Sequence, residues 1–205
     1  MIPAVLFAIV AVLDQIRPVA AWNDSFSVWL QGPQEPALTV VGFFTDWLFS
    51  AQLVLGLAAL LCVVLAFRRR WLLAASAALV FPVVLLEAVL KFLVHQPPAS
   101  TFLQVRVLFR SSDVNLEALA HGFPSGHAAR IGFVLGWLLL LLVPRSCRPQ
   151  VTLGTLLLTL LIAWTRIYVG DHSLLEIVAG LLLAAAFLPL AGALMSIGKR
   201  QPGRW

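Results

Sequence analysis

The sequence predicts an all-α, polytopic membrane protein: a six-transmembrane-helix bundle with a short interfacial helix in the loop between spans three and four. Two observations carry this. Of 205 residues, 61% are hydrophobic and only 11% are charged, with a mean hydropathy of +0.97, whereas a soluble domain carries about a quarter charged residues. The apolar residues also gather into six runs, each long enough to cross a hydrocarbon core of about 30 Å at about 1.5 Å per helical residue. A single membrane domain, 1–205, follows.

The first span covers about 2–21 and is weakened near its end by Asp14, Arg17 and Pro18. Trp22 to Leu30 reads as a short helix on the membrane surface, with Asn23 or Asp24 as cap and Phe26, Trp29 and Leu30 as its apolar face. Gly32-Pro33-Gln34-Glu35-Pro36 is a loop. The second span, about 40–67, ends at Arg68-Arg69-Arg70, and the third, about 71–94, contains Pro82 as a tolerable kink. A long polar stretch from His95 to Phe123 follows, with Pro97-Pro98 and a short helix expected at 113–120. The fourth span, 126–143, stops at Pro144-Arg145-Ser146-Cys147-Arg148-Pro149. The fifth covers 151–168 and the sixth 173–197, before a basic tail. Trp22, Trp47 and Trp71 fall near span ends, where indole rings anchor at the interface.

Charge sets the expected orientation. Arg68, Arg69, Arg70, Arg145, Arg148, Lys199, Arg200 and Arg204 share one side if six spans are right, and the positive-inside tendency makes that side, with both termini, cytoplasmic. The nine acidic residues lie on or near the other side. The formal charge of +5 comes without a basic stripe interleaved with aromatics, so nucleic acid is not an expected partner. No obligate protein partner is expected either. Met1-Ile2-Pro3 lacks the positive start of a cleavable signal. Cys62, mid-span, and Cys147, in a basic loop, are not expected to pair. The compact size is associated with a bacterial inner membrane.

Three separated pieces carry the polar chemistry, all on the expected outer face. Lys91 closes the third span, with Glu87 one turn deeper and His95 one turn shallower. Gly122-Phe123-Pro124-Ser125-Gly126-His127 opens the fourth, and Arg130 follows His127 at i+3 on a shared face. Thr165-Arg166 and Asp171-His172 flank the start of the sixth, and Glu176 follows His172 at i+4. Amides at a helix start, aimed by the helix dipole, make an anion site. A carboxylate on one ring nitrogen of His172 fixes the tautomer and leaves the other nitrogen for attack. No His, Asp or Glu spacing is a strong metal-ligand signature, and no cofactor is expected.

Bland readings stand beside these. Ser173-x-x-Glu176 is also a capping box. Lys91 can pair with Glu87 at i−4, and Arg130 with Glu87 inside the bundle. His95 and His121 read as ordinary loop or interface histidines.

Together the motifs resemble those of the type 2 phosphatidic acid phosphatase superfamily, which includes membrane lipid phosphatases, soluble bacterial acid phosphatases and vanadium haloperoxidases. Its signature is Lys-x6-Arg-Pro, Pro-Ser-Gly-His and Ser-Arg-x5-His-x3-Asp. Pro124-Ser125-Gly126-His127 is intact, and Thr165-Arg166-x5-His172-x3-Glu176 keeps the hydroxyl and the carboxylate. The first motif departs: Lys91 is present, but Pro98 and Ala99 stand where Arg-Pro is expected.

The resemblance implies an integral membrane phosphatase acting on a lipid phosphate or diphosphate through a phosphohistidine. His172 is the expected nucleophile, Glu176 its orienting carboxylate and His127 the acid and base. Lys91, Ser125, the Gly126 amide and Arg166 are the expected phosphate ligands. Arg130 is the first candidate to replace the absent arginine, with Arg106 and Arg110 as alternatives. Phosphotransfer to a lipid or sugar hydroxyl, and a non-catalytic lipid-binding or transport protein on the same scaffold, are the competing readings.

Overall fold

In the computed structural model, residues 2–94, 103 and 122–199 are described, without the side chains of Arg145 and Lys199. Among these the chain is helical: α1 Ile2–Asp14, α2 Arg17–Gln31, α3 Pro36–Leu48, α4 Ala51–Phe67, α5 Trp71–Ala78, α6 Val80–Leu93, α7 Gly126–Leu142, α8 Arg148–Tyr168 and α9 Leu174–Lys199, with a 3-10 turn at Arg145–Cys147. The helix expected at 113–120 lies outside the described residues, as do His95, Pro98, Ala99, Arg106, Arg110 and His121.

Helix α9 is the axis. It is apolar on nearly all sides and packs on α7, α1 and α5. Against α7 the contact is made by small residues: a Cβ added at Gly132 would press on Ala184, and one at Gly136 on Leu188. In a bilayer, where apolar side chains gain little by leaving lipid for protein, such close backbone approach supplies the packing energy.

Length and composition allow Trp71–Leu93, Arg148–Tyr168 and Leu174–Gly198 to cross a membrane, or up to five spans if each of two bent pairs is one crossing. Gly126–Leu142 is apolar but shorter, at 17 residues. The chain is an integral membrane protein, and among the described residues two of the six expected spans are bent pairs of helices. The first expected span, 2–21, breaks after Asp14, and α2 departs from α1 at 95°. Pro18 accounts for this: it lacks an N–H and its ring excludes the carbonyl four residues back, at Asp14. The second expected span is also two helices, bent by 44°, because Ser50 caps α4 by accepting a bond from the Leu53 amide at 3.3 Å. Pro82 acts in the same way as Pro18, and α5 ends four residues before it, at Ala78.

The surface-helix reading of Trp22–Leu30 needs a second correction. Neither Asn23 nor Asp24 caps α2; its cap position is Ile16, which makes no side-chain bond. The helix instead turns Asn23, Ser27 and Gln31 inward at i, i+4 and i+8, all buried, and leaves Trp22 and Trp29 exposed. Polar groups face the protein and indoles face outward. Trp47 and Trp71 are likewise exposed, and Cys62 and Cys147 are free thiols.

Candidate active site

The helix ends assemble the site. Three helices present their motif at one end: α7 and α9 at their starts, α8 at its finish. Arg148, at the opposite end of α8, donates to the carbonyls of Val143 and Leu140 at the far end of α7. Arg68–Arg70 follow the end of α4, whose start lies beside Phe49, an Arg130 partner. The basic residues thus stand about a helix length, roughly 25 Å, from the motifs.

His172 is buried at the start of α9, and its Nδ1 lies 2.6 Å from Glu176 Oε2. The i+4 spacing does what the sequence suggested. The competing capping-box reading is half present, since the Glu176 amide donates to Ser173 Oγ at 3.5 Å, but the Glu176 carboxylate is turned to the imidazole. Other residues cap α9: the Leu174 amide donates to Ser27 Oγ at 2.9 Å and the Leu175 amide to Asn23 Oδ1 at 3.0 Å. Helix α2 thereby relieves Glu176 of a capping role.

Ser125 is the N-cap of α7; its Oγ accepts from the Ala128 amide at 3.3 Å, and its own amide donates to the Glu176 carbonyl at 3.0 Å. That backbone bond ties the second motif to the third. The His127 ring faces His172 with centroids 6.3 Å apart, so one phosphoryl group touching either ring is in reach of the other.

Arg166 is fully buried at the end of α8. Its Nη1 lies 2.6 Å from Asp46 Oδ1 and 3.2 Å from Asp171 Oδ2. Its Nη2 donates to the Gly42 carbonyl and to Thr45 Oγ1. Thr165 shares a hydrogen bond with Thr45 at 3.0 Å. Among the described residues, Arg166 Nε and His127 Nε2 have no hydrogen-bond partner. His127 Nε2 is 3.0 Å from Asp46 Oδ1, near enough for attraction but not aligned for a bond. Two buried polar atoms left without a hydrogen bond mark a place where a further polar group fits.

The third piece gathers around Glu87. Glu87 Oε1 lies 2.9 Å from Lys91 Nζ, and Glu87 Oε2 lies 2.9 Å from Arg130 Nη1. Arg130 Nε donates to the Phe49 carbonyl at 2.7 Å, a group released by the break between α3 and α4. Arg130, the expected substitute arginine, is therefore turned to Glu87 and Phe49. A Cβ at Gly126 would overlap the Glu87 carboxylate, so this anion sits against the start of α7, where the dipole favours it. Asp46 is the site residue that the motifs did not name.

Among the described residues, no group of three or more His, Cys, Asp or Glu side chains is placed to hold a metal ion. The polar groups gathered here suit an oxyanion: a buried guanidinium, a hydroxyl and amides at a helix start, and two facing imidazoles, one with its tautomer set by a carboxylate.

The PAP2 superfamily is the family whose model matches this chain, over residues 70–197. Among solved structures, the crystal structure of the first transmembrane PAP2 type phosphatidylglycerolphosphate phosphatase from Bacillus subtilis is similar, with a TM-score of 0.72 and 19% identity. The alignment covers 98% of this chain and 96% of that one. At this identity the likeness is one of fold. No curated protein matches in sequence.

Proposed function

The chain belongs to the PAP2 superfamily, and from that membership we propose that it is a membrane lipid phosphatase that cleaves a lipid phosphate or diphosphate through a phosphohistidine. The observation that carries the proposal is the buried pair His172 Nδ1 and Glu176 Oε2 at 2.6 Å, facing His127 across the site. With the Nδ1 proton held by Glu176, His172 Nε2 keeps its lone pair and attacks phosphorus. The bond to the leaving oxygen breaks, and His127 gives that oxygen a proton. In the second step His127 takes a proton from water, whose oxygen displaces His172 and releases inorganic phosphate. Arg166, Lys91, Ser125 and the Gly126 amide hold the phosphoryl oxygens and absorb charge as it spreads in the transition state. None of these steps calls on a metal.

The lipid character of the substrate is supported by an apolar cavity of about 390 Å³ between α4, α5 and α7, lined by Val54, Leu57, Ala58, Leu61, Phe133 and Trp137. Phe49 lines it too, and the Phe49 carbonyl binds Arg130, so the cavity reaches the polar end of the bundle. We place the lipid chain there and the phosphate at the histidines. Candidate substrates are polyprenyl diphosphates, phosphatidic acid, phosphatidylglycerol phosphate and lipid A. The basic helix ends support an extracytoplasmic site in a bacterial inner membrane, with both termini inside.

Purified protein in detergent, offered a panel of these lipids, should release inorganic phosphate, and His172→Ala should not. Absence of phosphate release from every lipid, or full activity in His172→Ala, would overturn the reading. Radiolabel appearing on an added alcohol instead would favour phosphotransfer.

A further inference from the structure

Asp46 comes from α3, outside every motif, yet one of its oxygens holds the centre of the site. Oδ1 is 2.6 Å from Arg166 Nη1 and 3.0 Å from His127 Nε2. In the reaction proposed above, on which this inference rests, those are the contacts of an oxygen of the reacting phosphate: a guanidinium that binds it and a ring nitrogen that protonates it. We propose that Asp46 is an internal stand-in for phosphate, a carboxylate that occupies the empty site, is displaced when phosphate enters, and returns to expel the inorganic phosphate product.

The geometry on each side of the contact supports displacement. The Asp46 side chain is 42% exposed, whereas Arg166 is fully buried. The carboxylate reaches in from the open side and has somewhere to go; the guanidinium does not. Arg166 keeps the Gly42 carbonyl, Thr45 Oγ1 and Asp171 when Asp46 leaves. The approach to His127 Nε2 lacks the alignment of a hydrogen bond and is readily given up.

Charge explains why it must leave. Arg166 already faces two carboxylates, Asp46 and Asp171, and a phosphate dianion added to both would crowd three anions around one guanidinium. Of the two, Asp46 is the more exposed. A site whose open form is only partly populated binds its ligand more weakly in proportion to that population. For the product this is useful, because release often limits turnover.

The test compares full-length wild type, Asp46→Asn and Asp46→Ala for binding of inorganic phosphate and for its inhibition of lipid phosphate hydrolysis. Both variants should bind phosphate about tenfold more tightly, equivalent to about 1.4 kcal/mol, and should be inhibited at correspondingly lower concentration. A residue that merely positions His127 would lower turnover and leave phosphate affinity unchanged, and that result overturns the proposal. A structure of wild type with phosphate bound gives an answer that needs no variant: Asp46 should have turned away from Arg166, and a retained contact overturns the idea. Wild type that neither binds phosphate nor hydrolyses lipid phosphates would instead sink the phosphatase reading, and this inference with it.

Discussion

Two ion clusters lie at the same end of the bundle, and they are built differently. In the first, Glu87 sits between Lys91 and Arg130, each 2.9 Å away, and Arg130 gives its Nε–H to the Phe49 carbonyl. In the second, Arg166 meets Asp46 and Asp171, while Arg166 Nε and His127 Nε2 are left without a hydrogen bond. Burying ions is costly unless each finds its complement within the protein. The first cluster does so around Glu87. The second leaves two buried polar atoms without a hydrogen bond, and on the function proposed above this contrast separates a fold-holding arginine from a ligand-holding one.

The deepest break in the second cluster is His172→Ala. Removing the proposed nucleophile should lower turnover by about ten-thousandfold, or roughly 5.5 kcal/mol, with no phosphoenzyme trapped by acid quench. In the first cluster, Glu87→Gln removes the carboxylate that faces the buried Arg130 and the half-buried Lys91. Stability should fall by about 3–5 kcal/mol, read as a lower midpoint of thermal unfolding. Turnover per folded molecule should stay within about tenfold of wild type, or 1.4 kcal/mol.

A direct exchange test comes next. Arg166→Lys keeps the charge and loses the planar fork, and should lower kcat/KM by about tenfold to a hundredfold, or 1.4–2.8 kcal/mol. Arg130→Lys should cost less activity than Arg166→Lys. The reverse order would exchange the roles of the two clusters and return Arg130 to the list of phosphate ligands. The smallest effect concerns the apolar cavity: Ala58→Trp should raise KM for long-chain lipid phosphates by a few-fold, about 1 kcal/mol, and leave water-soluble short-chain substrates unchanged. Orientation is checked separately: a membrane-impermeant thiol reagent should leave Cys147, exposed at the basic end, unlabelled in intact cells.

How much of this was legible in the sequence depended on distance along the chain. The His172–Glu176 contact lies within one helix turn, so i+4 spacing announces it. Ser125 and His127 were readable because Pro and Gly prepare a helix start for an anion. Asp46 was missed because it meets Arg166 across 120 positions, and no local period records that. A signal did exist: it is the sole Asp, Glu, Lys or Arg between Pro36 and Phe67, and a charge inside an apolar run is a functional candidate by default. The helix breaks were misplaced for a related reason. Pro18 and Pro82 end a helix at the residue four positions earlier, not at themselves. Lys91 and Arg130 had the right chemistry for phosphate as well as for pairing with Glu87, and tertiary packing shows both pairings with Glu87.

The braces between α2 and the last two helices bear on what counts as the functional unit. Asn23 and Ser27 cap α9; Gln31 donates to the Tyr168 carbonyl at 3.2 Å, and Trp164 donates to the Leu30 carbonyl at 3.0 Å. Tyr168 clasps the Glu35 backbone, accepting from its amide and donating to its carbonyl. All of these partners precede residue 70, where the family match begins. A protein trimmed to the matched region would retain every recognisable motif residue and yet lose the caps beneath His172, the Arg166 supports on α3 and Asp46. The matched part of this sequence is therefore not a self-contained unit, and grafting or truncation guided by motif boundaries would cut through the contacts around Arg166 and His172.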